Sequence, residues 1–222
     1  MSKQLSSGSQ SIDRLLDGGF ENGIVTQIFG EAGSGKTNLC MQLAVECVRS
    51  GKKVIYIDTE AISPQRFKQI AGENAKEIAR GIIIFEPTSF EEQYASVKEI
   101  EKLVSDRIGL IVVDSATAFY RFELDQDESS IRSRRELSNQ IGFLHGVARK
   151  YKLAVVITNQ VYSDVVSGKL KPIGGSGIEH ISKTIMQLEK TGEGTRRARL
   201  WKHRSIPEGK TVDFRITNKG IR

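Results

Sequence analysis

Short runs of apolar, mostly β-branched residues recur along the first three quarters of the chain, separated by stretches with a different pattern. In those stretches apolar residues return every three or four positions, which places them on one face of a helix. The runs have the length and composition of buried strands. Strands alternating with helices predict an α/β fold with a mostly parallel, doubly wound sheet. The expected strands are residues 24–29, 53–58, 82–85, 109–114 and 153–158, and the expected helices are residues 13–16, 39–48, 65–71, 74–80, 89–106 and 136–151.

The pattern changes in the last quarter of the chain, where strand-like segments are joined by turns that contain Gly or Pro. We therefore expect a C-terminal antiparallel extension of the sheet, with strands at residues 184–189, 198–203 and 211–217. Residues 115–135 and 159–177 are interpreted as two long polar connections, and loops of this length are usually functional. Without an internal repeat or a low-complexity tail, residues 1–222 are expected to form one domain.

The segment that most constrains the function is residues 30–37, Gly-Glu-Ala-Gly-Ser-Gly-Lys-Thr. It matches the phosphate-binding pattern G-x-x-x-x-G-K-[ST] and lies between an expected strand and an expected helix. Backbone N–H groups of such a loop surround a polyphosphate, and its glycines let the main chain approach closely. The expected nucleotide-binding residues are Gly30, Glu31, Ala32, Gly33, Ser34, Gly35, Lys36 and Thr37.

Two residues at the end of this loop have individual roles in the hypothesis. Lys36 would reach the β- and γ-phosphates of ATP, and the Thr37 hydroxyl would bind Mg²⁺. The alternative is an ordinary glycine-rich turn with a solvated lysine, against which the correct flanking elements argue. A dinucleotide site is not expected, because no G-x-G-x-x-G occupies the first turn.

Three polar side chains at the ends of expected strands complete the candidate site. Asp114 ends an apolar strand, a Walker-B arrangement, and is expected to hold Mg²⁺ directly or through water. Glu60 follows the second strand at the same edge of the sheet, where it would orient and deprotonate the attacking water. Gln160 follows the next strand and would sense the γ-phosphate. Each of these residues could instead be a strand-end residue without a role.

Composition narrows the remaining classes of protein. The chain of 222 residues has no apolar run near the roughly 20 residues that span a bilayer, and its polar start does not resemble a signal peptide. A cytoplasmic location without membrane contact is therefore expected. Cys40 and Cys47 lie seven residues apart on one expected helix, about 10 Å, which is beyond the reach of a disulfide.

The net charge of +6 is distributed unevenly. Residues 1–120 hold 13 Lys and Arg against 16 Asp and Glu, whereas residues 121–222 hold 20 against 11. An excess of positive charge in one half indicates a polyanionic partner, and nucleic acid is the first candidate. Dispersed surface lysines that favour solubility are the alternative.

With these residues placed, the chain resembles the RecA/RadA recombinase family over nearly its whole length. The matching pieces, in order, are Gly8-Ser9, Leu15-Leu16-Asp17-Gly18-Gly19, Ile28-Phe29-Gly30-Glu31, Gly35-Lys36-Thr37, Tyr56-Ile57-Asp58-Thr59-Glu60, Val112-Val113-Asp114-Ser115-Ala116-Thr117-Ala118, Glu136-Leu137-Ser138, Ile157-Thr158-Asn159-Gln160-Val161 and Pro172-Ile173-Gly174-Gly175. The resemblance implies a RecA-type P-loop ATPase core that uses ATP and Mg²⁺. It also implies that Glu60 is the catalytic base, that Gln160 links the γ-phosphate to DNA and that Arg66 stacks on adenine.

The resemblance further implies that the two long connections bind single-stranded DNA, and that this binding is independent of the DNA sequence. Positive charge of this kind contacts phosphates without reading bases. The first connection also carries Glu123, Asp125, Asp127 and Glu128, which would repel DNA, so a solvated charged loop stays an alternative. The expected DNA-binding residues are Arg121, Arg132, Arg134 and Arg135 in the first connection and Lys169 and Lys171 in the second.

Three departures from the family pattern matter. The chain starts at the ATPase core, so we expect neither the N-terminal helical DNA-binding domain nor the linker of the family, and the second connection is shorter. Where the family caps a neighbour's ATP with a segment resembling Asp-Ser-Pro, this chain has Lys202-His203-Arg204. Lys202 and Arg204 would meet the neighbour's phosphate directly; basic residues that simply face water are the alternative.

The leading hypothesis is an ATP-dependent DNA-binding protein of homologous recombination and DNA repair. It would have weak ATPase activity, assist the main recombinase or other recombination proteins and form homo-oligomers. A second hypothesis is an ATP-gated binding switch without significant hydrolysis. A third is a hexameric helicase or a clock-type ATPase on the same core.

Overall fold

A computed structural model of the chain describes residues 4–123, 129–164, 168 and 170–222. The strands among them are β1 (Gln4–Leu5), β2 (Phe20–Glu21), β3 (Val25–Gly30), β4 (Lys53–Asp58), β5 (Ile82–Phe85), β6 (Ile108–Asp114), β7 (Ala154–Asn159), β8 (Val161–Ser163), β9 (Leu170–Pro172), β10 (Thr184–Lys190), β11 (Thr195–Lys202), β12 (Thr211–Thr217) and β13 (Gly220–Ile221). The α-helices are α1 (Gln10–Leu15), α2 (Lys36–Arg49), α3 (Pro64–Ala71), α4 (Ala75–Ala79), α5 (Phe90–Leu103), α6 (Tyr120–Glu123), α7 (Ser129–Tyr151) and α8 (Gly175–Ile181).

The described strands assemble mainly into one large sheet with the order β13-β12-β11-β10-β3-β7-β6-β4-β5. From β10 to β5 all neighbours are parallel, whereas β10 to β13 pair antiparallel. The expected α/β fold with a C-terminal antiparallel extension is confirmed. Because the parallel strands share one direction, the segments that follow β3, β4, β6 and β7 all emerge at the same edge of the sheet.

Apolar residues from helices cover both faces of the sheet. On one face, Leu39 and Leu43 of α2 pack in a fully buried cluster with Ile28 of β3. On the other face, Val97 of α5 and Leu144 of α7 belong to a second buried cluster. All six residues of β3 are buried, as expected for a central parallel strand that is covered on both sides. The sheet therefore holds the loops at its carboxyl edge on a rigid support.

The two long polar connections, interpreted as loops from their sequence, contain regular structure, and this corrects the interpretation. Helix α7 begins at Ser129 rather than at residue 136, and α6 lies within the first connection. In the second, β8 and β9 form an antiparallel hairpin and α8 begins at Gly175. The early turns of α7 were missed because their side chains are polar or exposed, so no apolar periodicity marks them.

Two smaller findings concern the rest of the chain. Cys40 and Cys47 are free and buried, and burial raises the pKa of the Cys47 thiol to about 12. Within the described part of the chain, no helix is both long enough and apolar enough to cross a bilayer.

Candidate nucleotide-binding site

The glycine-rich loop connects β3 to α2, which confirms the expected strand, loop and helix. Gly30 lies beside Leu188 of β10, and a Cβ atom on Gly30 would lie 2.2 Å from the Leu188 carbonyl oxygen. Only glycine fits this close approach. Gly35 has a φ of +107° at the N-cap of α2, a conformation that residues with a Cβ rarely adopt. The loop therefore presents its N–H groups at the N-terminus of a helix, where anions bind.

Lys36 folds back over the loop. Its Nζ donates hydrogen bonds to the carbonyl oxygens of Gly30 at 2.7 Å and of Glu31 at 3.1 Å. Burial lowers the pKa of Lys36, while the carboxylates of Asp114 and Glu60 act in the opposite direction. The ammonium thus lies among the groups expected to surround a nucleotide.

Asp114 ends β6 and is 1% exposed. Its carboxylate accepts hydrogen bonds from the Tyr56 hydroxyl at 3.0 Å and from the Thr158 hydroxyl at 2.5 Å. Burial raises the pKa of Asp114, and the nearby hydroxyls of Thr158, Thr37 and Tyr56 oppose that rise. The structure thus brings together the two residues expected to bind Mg²⁺, Thr37 and Asp114.

The loop also contains a buried hydroxyl that fits an oxyanion. Ser34 is fully buried, and among the described residues its Oγ has no hydrogen-bond partner. A buried polar atom without a partner is costly, so it is suited to a ligand that supplies one. Together with Lys36, Thr37 and Asp114, this donor set fits a nucleotide polyphosphate with Mg²⁺. The metal would neutralise phosphate charge there.

Glu60 and Gln160 meet at the same edge of the sheet. The Gln160 side-chain amide donates to Glu60 Oε1 at 3.2 Å, although the residues are 100 positions apart. The backbone of Gln160 is held too, since its N–H donates to the Thr117 hydroxyl and its carbonyl accepts from the Ile173 N–H. The two side chains predicted to meet the γ-phosphate therefore contact each other.

Asp58 orders the segment that carries Glu60. It is 4% exposed, and its two carboxylate oxygens accept the backbone N–H groups of Glu60 at 3.0 Å and of Ile62 at 2.6 Å. The sequence interpretation assigned no role to Asp58, Tyr56 or Thr158. Their positions at or near strand ends, beside Glu60 and opposite Asp114, were the available signal.

Arg66 lies in the first turns of α3 and links three elements. Its guanidinium donates to the Asn38 side chain in α2 and to the carbonyl oxygen of Thr217 at the end of β12, the latter at 2.8 Å. Since Asn38 is two residues beyond Lys36, Arg66 contacts the first turn of α2, next to the phosphate loop. The predicted stacking of Arg66 on adenine stays a prediction.

The cations expected to bind DNA occupy two elements. Arg121 is exposed on α6, and Arg132, Arg134 and Arg135 are exposed on α7, so these three belong to a helix and not to a loop. On the hairpin, Lys171 Nζ pairs with Asp164 at 2.7 Å, which raises the pKa of Lys171. Lys169, Asp125, Asp127 and Glu128 lie outside the described residues. The DNA-binding roles stay predictions.

The basic segment at residues 202–204 lies at the edge of the sheet opposite the phosphate loop. Lys202 pairs with Ile185 near the start of β10, whereas the loop lies beyond that strand's other end. Lys202 Nζ donates to the Glu179 carbonyl oxygen at 2.7 Å, and Arg204 pairs with Glu21. Both cations therefore have partners within their own chain.

The fold and the site together define a P-loop protein of the RecA type. A family model described as Rad51 matches residues 2–222, so the chain belongs to the Rad51 family and the resemblance to RecA/RadA recombinases is confirmed.

Similar proteins agree over the whole length. The chain is 69% identical to the DNA repair and recombination protein RadB of Methanococcoides burtonii over 99% of this chain and 98% of that protein. It is 46% identical to the protein of the same name from Archaeoglobus fulgidus, with 96% of each covered. A crystal structure of the RadB recombinase superposes with a TM-score of 0.85 at 38% identity over 98% of both chains.

Proposed function

We propose that this chain binds Mg·ATP and single-stranded DNA, hydrolyses ATP slowly and assists the main recombinase in homologous recombination and DNA repair. The observation that carries the nucleotide part is the buried Asp114 carboxylate, which the hydroxyls of Tyr56 and Thr158 hold at the edge of the sheet where the phosphate loop lies. Membership in the Rad51 family supports the recombination part, as do the names of the similar proteins, which refer to DNA repair and recombination.

The site residues divide the chemistry of hydrolysis among them. The loop N–H groups and Lys36 would bind the phosphates, and Thr37 and Asp114 would hold the metal, which would neutralise phosphate charge. Glu60 accepts the proton of the attacking water as the water oxygen bonds to the γ-phosphorus and ADP leaves. Asp58 fixes the backbone of Glu60 through the hydrogen bond at 3.0 Å. A water-accessible base held by a buried anchor is consistent with slow but real turnover.

Gln160 offers a route from the nucleotide to DNA. It contacts Glu60 through its side chain and directly precedes β8, the first strand of the hairpin. A change at the γ-phosphate that breaks the contact with Glu60 would therefore act on the hairpin. Such coupling needs an element with two arrangements whose equilibrium the nucleotide shifts.

The DNA-binding surface is supported by charge and by one aromatic residue. Exposed arginines on α6 and α7 supply contacts to phosphates. Tyr162 of β8 is 49% exposed and lies directly opposite Lys171 on β9, so the hairpin presents an aromatic face next to an ammonium. Aromatic side chains stack on bases of single strands without regard to sequence.

One observation favours a second candidate, an ATP-gated switch without significant hydrolysis. The Gln160 amide occupies Glu60 Oε1, one of the two oxygens that could accept a proton from water. If that contact persists with ATP bound, ATP would hold the site in one state without being consumed. Both candidates require the same nucleotide site and differ in turnover.

The deciding experiment measures ATP binding and steady-state ATP hydrolysis, with and without single-stranded DNA, for wild type, Lys36→Ala and Lys210→Ala. Lys210 is an exposed lysine away from the loop and serves as the control. We expect Lys36→Ala to lose at least about 100-fold in ATP affinity, because two or more charge-assisted hydrogen bonds disappear, while its circular dichroism matches wild type. ATP binding by a folded Lys36→Ala protein at wild-type affinity would contradict the proposal, and binding without turnover in wild type would select the switch.

A further inference from the structure

Two cations face each other across β10 and β11 where these strands reach the phosphate loop. Lys190 ends β10 and is the cross-strand partner of Arg196 on β11. Leu188 pairs with Gly30, and side chains alternate along a strand, so Lys190 lies on the same face of the sheet as Leu188. Leu188 packs in the cluster that contains α2, so this face is the one on which the loop turns into its helix.

Arg196 donates three hydrogen bonds to backbone carbonyl oxygens. Its Nε donates to the carbonyl oxygen of Gly33 in the loop at 3.0 Å, and Nη1 donates to the carbonyl oxygens of Thr195 at 2.9 Å and Gly192 at 3.3 Å. The guanidinium thus ties the β10–β11 turn to the middle of the phosphate loop. This bond holds a carbonyl of the loop and leaves the N–H groups available.

Lys190 has the opposite character. It is exposed, and within the described residues its ammonium has no hydrogen-bond or ion-pair partner. A methyl group built on Gly33 would lie 3.4 Å from Lys190 Cε and 3.5 Å from its Nζ, so the lysine tip lies against the loop. Its charge also lowers the pKa of Lys36. Like charges directly opposite on neighbouring strands destabilise a sheet, and no ion pair to a described acidic residue compensates the charge of Lys190 opposite Arg196.

We propose that Lys190 is a second phosphate-binding lysine, which contacts the terminal phosphates of the nucleotide held by the loop of its own protomer, and that Arg196 positions that loop. This rests on the proposed nucleotide-binding function. An anion between Lys36 and Lys190 turns the repulsion of the two ammoniums into attraction for the ligand. The hairpin therefore brings positive charge to the site in cis, in addition to the lysine of the motif.

The test compares Lys190→Ala with wild type and with the control Lys210→Ala. Calorimetric titration with ATP, ADP and AMP in the presence of Mg²⁺ gives the affinities. We expect Lys190→Ala to lose about tenfold for ATP, less for ADP and nothing for AMP, because the lost charge-assisted bond involves the terminal phosphates. The melting temperature of the nucleotide-free variant should not fall, since a like-charge pair has been removed.

A second measurement needs only the wild-type protein. Lys190 should acylate readily with an amine-reactive ester, and saturating ATP should protect it while AMP does not. Peptide mass spectrometry reads the modification at each lysine, with Lys210 as the unprotected reference. Equal acylation of Lys190 with and without ATP would overturn the inference.

The outcomes separate this inference from the proposed function. Unchanged ATP affinity in Lys190→Ala beside a lost affinity in Lys36→Ala overturns the role of Lys190 and leaves the proposed function standing. Equal losses for all three nucleotides with a lowered melting temperature also overturn it, because they indicate a structural role. Unchanged ATP affinity in Lys36→Ala removes the nucleotide site itself.

Arg196 is tested by a variant that keeps its charge. Arg196→Lys retains a cation but cannot reproduce three hydrogen bonds from a planar guanidinium. If Arg196 positions the loop, Arg196→Lys and Arg196→Ala both lose affinity for ATP and ADP, and the two variants lose about the same amount. If the variant with lysine binds ATP as wild type does, charge alone is sufficient and the positioning role is wrong.

Discussion

Asp114 and Glu60 are two carboxylates at one edge of the sheet whose surroundings differ. Asp114 is 1% exposed and accepts hydrogen bonds from the Tyr56 and Thr158 hydroxyls, which hold it in one orientation. Glu60 is exposed, and its side chain contacts the Gln160 amide. A rigid buried carboxylate suits a metal, whereas a base for water must lie where water can reach it.

This difference leads to a prediction for Glu60→Gln. The variant keeps the shape of the side chain and loses the proton acceptor, so ATP binding should remain within about threefold while turnover falls by ~10²–10⁴. Steady-state hydrolysis and nucleotide titration measure the two quantities. Glu86→Gln is the matched control, because Glu86 is an exposed glutamate directly after the neighbouring strand β5. Equal turnover in wild type and Glu60→Gln would contradict the assignment of Glu60 as base.

At the scale of elements, α7 carries the DNA hypothesis. Arg132, Arg134 and Arg135 are exposed near its N-terminal end, and the helix holds them in fixed relation to the edge of the sheet where β6 ends. The backbone of a helix is already ordered, so it loses less conformational entropy when it binds DNA than an irregular loop would. Its first turns therefore form an ordered basic surface beside the nucleotide site.

Replacing Arg132, Arg134 and Arg135 together by alanine should weaken binding of single-stranded DNA alike for all sequences. Each lost phosphate contact should also reduce the slope of log affinity against log salt by about 0.7. Fluorescence anisotropy at several salt concentrations measures both effects. Removing Arg107, Arg149 and Lys150, three exposed cations near the opposite edge of the sheet, is a control of equal charge. Superimposable salt plots for wild type and the α7 variant would show that DNA binds elsewhere.

The β8–β9 hairpin allows a separate prediction for Tyr162. Its ring is 49% exposed opposite Lys171, and a base stacked on it is worth ~1–3 kcal/mol. Tyr162→Ala should therefore weaken single-stranded DNA binding about 5- to 100-fold, with little change in salt dependence. Tyr162→Phe keeps the ring and should bind as wild type does. Equal affinity of the alanine and phenylalanine variants, measured by anisotropy, would exclude stacking at this position.

The sequence predicted the buried elements better than the exposed ones. The buried strand β4 has the expected bounds, and the buried strands β3, β6 and β7 differ from theirs by no more than one residue at either end. Burial imposes an apolar period that is visible in the sequence. The first turns of α7 and the short strands of the β8–β9 hairpin have no such period. Contacts between distant residues, such as Gln160 with Glu60 or Arg196 with Gly33, follow from topology and leave no local signal.

At the scale of the whole molecule, the phosphate loop and the basic segment at residues 202–204 lie at opposite edges of one sheet. Strand β11 runs between them, and its eight residues span about 23 Å. Two copies that met head to tail would bring the basic segment of one to the nucleotide of the other. Such contacts between different surfaces continue into filaments or close into rings.

The last prediction concerns that contact. We expect ATP to promote association between copies or with a recombinase core, and Lys202→Ala with Arg204→Ala to remove the ATP dependence. Lys202 is bonded to the Glu179 carbonyl and Arg204 to Glu21, so in forming the contact each cation would exchange a partner in its own chain for a phosphate oxygen. ATP affinity within one protomer should change less than about twofold, because the two groups lie across the sheet from the loop.

Sedimentation velocity with and without ATP, for wild type and double variant, measures this dependence. Lys68→Ala with Lys76→Ala, two exposed lysines on α3 and α4, controls for charge lost elsewhere. Glu21→Gln tests the same exchange by weakening the ion pair that Arg204 forms within its own chain. This variant should therefore show stronger ATP-dependent association. A wild-type protein that stays monomeric with ATP, DNA and recombinase together would show that the basic segment only faces water. Association that is unaltered in the double variant would place the interface on another surface.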